Sequence, residues 1–167
     1  MTSETRPRAS RLTALAALLC LPVAGCAMFA DETRIANAAL APQKAPAGPA
    51  VALVSAHRRA HGLPPLVHDA RLQALAEQQA LAMARADRLS HTTAGSLASR
   101  LSGTPHRAAA ENISAGYDTL PRAVESWKRS PEHDKNLRSA PLRRMGIAAA
   151  DAPGSRYGVY WAIVMTD

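Results

Sequence analysis

The order of elements along the chain predicts an α+β domain, an α/β/α sandwich with a small three-stranded antiparallel sheet between helices. Three observations lead there. Residues 69–89 carry Leu72, Leu75, Ala76, Gln79, Met83 and Ala86 at the three-and-four spacing of a helix face. Residues 157–166 place Val159, Trp161 and Ile163 on one side of an extended chain and Tyr160, Ala162 and Val164 on the other. That is the pattern of a strand covered on both faces. The sequence of helices, one strand, further helices and two strands excludes both a helical bundle and an all-β sandwich.

The first fifty residues read as a leader and a tether. Arg6, Arg8 and Arg11 precede an apolar run from Leu12 to Val23. At twelve residues the run is too short to span a bilayer, which takes about 20, and it suits the apolar region of a signal peptide. Val23-Ala24-Gly25-Cys26 follows, and it resembles the lipobox of bacterial lipoproteins, in which the cysteine is acylated and becomes the new N-terminus. The alternative is an ordinary secretory signal cleaved near Ala30. On the lipobox reading residues 1–25 are the signal, Cys26 carries lipid, and Cys20 is lost with the leader. The mature chain then has no free thiol and no disulfide. Removing the leader lowers the net charge from +7 to +5. Residues 26–49, rich in Ala and Pro, form a semi-extended tether. The domain then occupies 50–167.

Within the domain, 51–61 is a short helix with an apolar and a basic side, ended by Gly62 and Pro64-Pro65. His57 and His61 lie four apart there. Arginines flank the pair and no glutamate follows His57, so a solvated helix surface is favoured over a zinc site. Asp69 is placed to cap the helix over 69–89, after which His91 sits just past a helix end. A short helix over 96–101 precedes a strand over 108–115, which puts Glu111 and Ile113 on one side and Asn112 on the other. Pro121 opens a helix over 122–129 whose Val124 and Trp127 turn inward. Ser130-Pro131 starts a further turn or helix bearing Glu132, His133 and the packing residue Leu137. Strands over 143–150 and 157–166 close the chain around a turn at Pro153-Gly154.

The chemistry centres on Ala109–Gly116. Glu111 lies in a small, apolar segment, and a carboxylate there must face a polar cleft or meet partners from elsewhere. His91 and His133 are the candidates. A basic surface without aromatics interleaved for base stacking excludes a nucleic-acid role. Nor does the sequence hold a Gly-x-Ser-x-Gly elbow or a His-Glu-x-x-His helix.

Five stretches in order resemble the CAP superfamily, which comprises cysteine-rich secretory proteins, antigen 5, pathogenesis-related 1 proteins and bacterial SCP-like relatives. They are His57-Arg58 through His61-Gly62-Leu63-Pro64-Pro65-Leu66; Leu89-Ser90-His91; Ala110-Glu111-Asn112-Ile113; residues 127–136; and Met145-Gly146-Ile147 with Tyr160-Trp161. The resemblance covers about residues 50–167. It implies a three-stranded antiparallel sheet, a secreted or envelope location, and a cleft with two histidines and two glutamates. His91, Glu111 and His133 match three of the four. Lys128, Arg129 and Ser130 stand where the second glutamate usually lies, and Ser55 stands where many bacterial relatives have asparagine.

The expected function is a lipid-anchored envelope protein that binds a small molecule, lipid or envelope polymer in a cleft lined by His91, Glu111 and His133. No residue is assigned a catalytic role. A divalent metal such as zinc would be held by His91 and His133, with water completing the ligand set. Two alternatives stand beside this reading. One is a metal-assisted hydrolase using Glu111 with His91 and His133. The other is a domain in which the three residues simply satisfy one another.

Overall fold

The computed structural model describes residues 42–43 and 47–167. The expected signal peptide (1–25), Cys26 and most of the expected tether (26–49) lie outside the described residues. The elements in order are β1 (Pro42–Gln43), α1 (Ala47–Ala60), β2 (Val67–His68), α2 (Ala70–Ala86), α3 (Leu97–Arg100), β3 (Ala109–Ala115), α4 (Leu120–Arg129), α5 (Pro131–Leu137), β4 (Arg144–Ala152) and β5 (Gly158–Thr166).

The three long strands form an antiparallel β4–β5–β3 sheet, as expected. Two short segments widen it. Pro42–Gln43 pairs antiparallel with Ala150 and Ala149, and Val67–His68 pairs parallel with Arg144 and Met145, so the complete sheet is mixed. A two-residue strand is too short to show alternation, which is why neither was legible. Helix α1 also starts earlier than the expected residue 51, at Ala47. Pro49 sits in its first turn, where a missing N–H costs nothing.

The predicted alternation divides the core into two layers. Tyr160, Ala162 and Val164 of β5 and Ala148 and Ala150 of β4 pack under Leu72, Ala76, Ala80 and Met83 of α2. On the opposite face Trp161, Ile163, Met145 and Ile147 pack against Val54 of α1, Val124 and Trp127 of α4, and Leu137 of α5. Small residues let α2 lie close. At Gly146 a Cβ would sit 2.0 Å from the Gln73 backbone nitrogen. The Gln73 side chain meanwhile accepts a 3.1 Å bond from the Ile147 N–H.

Helix α2 is capped as the sequence indicated, with the Asp69 carboxylate accepting from the Arg71 and Leu72 amides at 2.9 and 3.0 Å. Its C-terminus comes three residues earlier than expected. Asp87 adopts a left-handed conformation (φ 43°), which aspartate with its short polar side chain visits more readily than most residues. Here the carboxylate accepts from the Tyr160 hydroxyl at 2.5 Å and the Arg156 amide at 2.9 Å. Burial, then that hydrogen bond, pushes the Tyr160 hydroxyl up to about 12. The early stop releases residues 88–95 as a loop, and His91 is on it.

The basic side assigned to α1 is corrected by the structure. Arg58 is fully buried, and its guanidinium donates to the carbonyls of Pro64, Leu137, Ser139 and Leu142 at 2.7 to 3.0 Å. One side chain thereby ties the end of α1 to the loops after α1 and α5. His57 is likewise not a solvated residue, since its Nε2 lies 2.6 Å from Asp134 on α5. Ser55 exchanges hydrogen bonds with the backbone of Leu66, its Oγ accepting from N–H at 3.1 Å and donating to C=O at 3.3 Å.

Candidate functional site

The site is built around β3, whose outer edge is covered by side chains rather than by another long strand. The Trp127 indole donates to the Ile113 carbonyl at 3.2 Å, and Asn136 donates to the Glu111 carbonyl at 3.3 Å. Asn136 also donates to the Asn112 side chain at 2.9 Å, whose amide in turn donates to the His133 carbonyl at 3.0 Å. Alternation therefore does two jobs at adjacent positions. Asn112 fastens α5 to the strand, while Glu111 projects to the other face.

Glu111 is almost fully buried (2%) and is satisfied by two partners. Its Oε1 lies 2.8 Å from the Nδ1 of His91, and its Oε2 accepts from the guanidinium of Arg100, itself 3% exposed. The buried carboxylate is charge-paired, as its burial requires. The pairing cation, Arg100, was missed in the sequence. It sits at the end of α3, eleven residues before Glu111 and outside any motif that the local pattern singles out. A one-turn helix capped by Ser96, whose Oγ accepts from the Ser99 amide at 3.1 Å, aims it inward.

His91 itself is 54% exposed. Its loop is held by Gln79 of α2, which donates to the Ser90 carbonyl at 2.6 Å and to Thr93 Oγ1 at 3.1 Å, and accepts from the Ala94 amide at 3.3 Å. Gln79 looked like one member of a helical core stripe; its role is to anchor this loop. With Nδ1 fixed on Glu111, the Nε2 of His91 is the ring atom left for solvent or a ligand.

His133 stands on α5, on the other side of the β3 edge. It is close enough to His91 for the two imidazoles to influence each other electrostatically. Burial first, and then the charge of His91, lower its pKa below the ordinary 6.5, with Glu132 opposing. His133 also lines a cavity of about 260 Å³ with Leu89, Ser114, Ser130 and Trp127. The three predicted residues thus fall in one region: His91 and Glu111 are directly bonded, and His133 lies across the strand edge.

The donor set bears on a metal. Both oxygens of Glu111 are engaged, so the carboxylate orients His91 instead of offering itself as a ligand. Among the described residues no group of three or more His, Cys, Asp or Glu side chains is arranged to hold a metal ion. Two imidazoles alone fall short of the three or four protein ligands usual for zinc. The His57–His61 pair, with rings 4.6 Å apart edge to face, has its His57 Nε2 committed to Asp134.

Residues 51–165 match the family model described as CAP, the cysteine-rich secretory protein family. Solved structures share the fold. An outer surface protein from Borrelia burgdorferi superposes with a TM-score of 0.62 at 18% identity, covering 70% of this chain and 88% of that one. An extracellular protein containing an SCP domain from Bacillus anthracis gives 0.62 at 22% identity, covering 80% of this chain and 42% of that one. A cysteine-rich secretory protein from Staphylococcus aureus gives 0.55 at 20% identity, covering 72% and 38%. The chain therefore spans less than half the length of the Bacillus and Staphylococcus chains. No curated protein matches it. With the family model spanning residues 51–165 and the three long strands forming one antiparallel sheet, the chain belongs to the CAP (cysteine-rich secretory protein) family.

Proposed function

We propose that this is an extracytoplasmic CAP domain, lipid-anchored through Cys26, that binds a small molecule, lipid or envelope-polymer segment in the cleft spanning the β3 edge. One observation carries the reading. A buried ion pair, Arg100–Glu111, holds an exposed imidazole, that of His91, in fixed orientation on the same loop as Leu89, which lines an open cavity. A purely structural network would not need its outermost member half in water. Preorganising an exposed polar group lowers the cost of ordering it on binding. The outside location is supported by the leader sequence and by two relatives described as an outer surface protein and an extracellular protein.

Metal-assisted hydrolysis using Glu111 with His91 and His133 is less well supported, because Arg100 and His91 occupy both carboxylate oxygens. A cation would have to be held by the two imidazoles and water.

The test separates binding from architecture. His91→Ala removes an exposed group whose loss should change stability by no more than about 1 kcal/mol. The full chain, immobilised from detergent, is exposed to an envelope extract and the retained molecules are read by mass spectrometry. Retention by the wild type that His91→Ala loses, with unchanged melting, supports a binding module. A sharply lowered melting temperature with unchanged retention supports the structural reading instead.

A further inference from the structure

Ser114, Ser130 and His133 line the cavity beside β3, and none of their side chains makes a hydrogen bond among the described residues. The Oγ of Ser114 is buried and unpaired, in a residue only 7% exposed. Ser130, at the junction of α4 and α5, makes no side-chain cap bond. The imidazole of His133 completes the set. Buried hydroxyls are normally paired, so the unpaired one of Ser114, in a residue that lines the cavity, is one that a turn about its Cα–Cβ bond would offer to a ligand there.

The rest of the lining narrows the ligand. Among the described residues no Lys, Arg, Asp or Glu borders the cavity. An anionic headgroup would find no cation there, and a cation no carboxylate. The remaining wall is apolar and partly aromatic, with Leu89, Ile113, Tyr117 and Trp127. An acyl chain would suit that wall but would leave the two hydroxyls and the imidazole unsatisfied. What matches both halves is an uncharged ring with hydroxyl groups on its rim and C–H bonds on its face. Serine hydroxyls and a neutral imidazole each donate and accept, as sugar hydroxyls do. At about 260 Å³ the cavity lies just below the usual range of roughly 300–1,000 Å³ for small-molecule sites, which suits one ring rather than a large ligand.

We propose that Ser114, Ser130 and His133 form a subsite for one neutral pyranose unit of a glycan, its apolar face set against Leu89, Ile113 and Tyr117. This rests on the reading of the cleft as a binding site, and it names the ligand class. Leu89 of the cavity wall lies two residues from His91 on the same loop, so neighbouring units of the same glycan would extend toward that imidazole.

The experiment uses the full chain in detergent with three probes: tri-N-acetylchitotriose, cellotriose and palmitate. Ligand-detected saturation-transfer NMR and the tryptophan emission report binding. Saturable binding of at least one trisaccharide is expected. It should weaken about five- to tenfold in Ser114→Ala and in His133→Ala, about what one lost hydrogen bond gives. Arg122→Ala, on the exposed face of α4, should bind like the wild type. If palmitate alone binds, with Ser114→Ala unaffected, the sugar subsite is overturned while the cleft remains a binding site. If a trisaccharide binds equally well to both variants, the subsite lies elsewhere and the assignment is wrong. If none of the probes binds the wild type and the envelope extract also yields nothing, the glycan subsite and the binding cleft both fall.

Discussion

Removing the positive charge beside Glu111 is the most searching perturbation of this domain. In Arg100→Leu the carboxylate stays 2% exposed with only His91 for a partner. Breaking one side of a buried ion pair costs about 3–5 kcal/mol, because the remaining charge is left in a poorly solvating site. For a domain of this size that corresponds to a fall in melting temperature of roughly 10–20 °C. The double variant Arg100→Leu/Glu111→Gln removes both charges and should recover much of the loss, since neutralising the pair costs far less than orphaning one member. Chemical denaturation of the two single variants and the double variant measures the coupling directly. If Arg100→Leu loses less than about 1 kcal/mol, or if the double variant is simply the sum of the singles, the pair is not coupled and the preorganisation of His91 fails with it. A second readout follows the site itself. In Arg100→Leu the His91 ring resonances should broaden as its anchor loosens, whereas a remote destabilisation would leave them sharp below the melting point.

Further outcomes follow from particular residues. Gly146→Ala should destabilise severely, or abolish folding, because its Cβ would meet the backbone of α2 at 2.0 Å and neither element can yield cheaply; soluble yield and denaturant midpoint report it. His133 titrates below an unfolded histidine, whose pKa is about 6.5. In the window between the two values the unfolded chain binds more protons, so stability should fall as pH drops through it and level off below the folded value. His133→Asn should flatten that segment of the melting-temperature profile, read from about pH 7 down to about pH 5. Cys26→Ser should abolish incorporation of labelled fatty acid, and continued labelling would sink the lipobox reading.

Much of this structure was legible because its elements obey simple periods. The double-faced β5, the α2 stripe and the inward Trp127 follow from spacing alone, and Glu111 was located by the oddity of a carboxylate among alanines and isoleucine. What escaped notice was long-range. Arg58 reads as surface charge because nothing local reveals the four carbonyls that converge on it from residues 64 to 142. Arg100 was passed over in the short helix over 96–101 for the same reason, and Gln79 reads as a member of a core stripe. In each case the neighbours in sequence say nothing of the polar side chain's partners, which are set by the packing of other elements. The two-residue strands β1 and β2 were hidden by their brevity, and the position of Asp87 by a left-handed cap whose tyrosine and amide partners come from elsewhere in the chain.

The covering of the sheet has a consequence for how copies of this domain meet one another. A bare strand flank is a template on which a second chain can zip, and the hazard grows when molecules are concentrated on a surface. Here Pro42–Gln43 and Val67–His68 lie along β4, while Trp127 and Asn136 occupy two outward carbonyls of β3. A neighbouring molecule, or an extended peptide, therefore finds those main-chain acceptors already taken. Whatever enters the groove beside β3 cannot pair with these two carbonyls, and crowding should find little of the edge's acceptor ladder on which to zip these domains into ribbons.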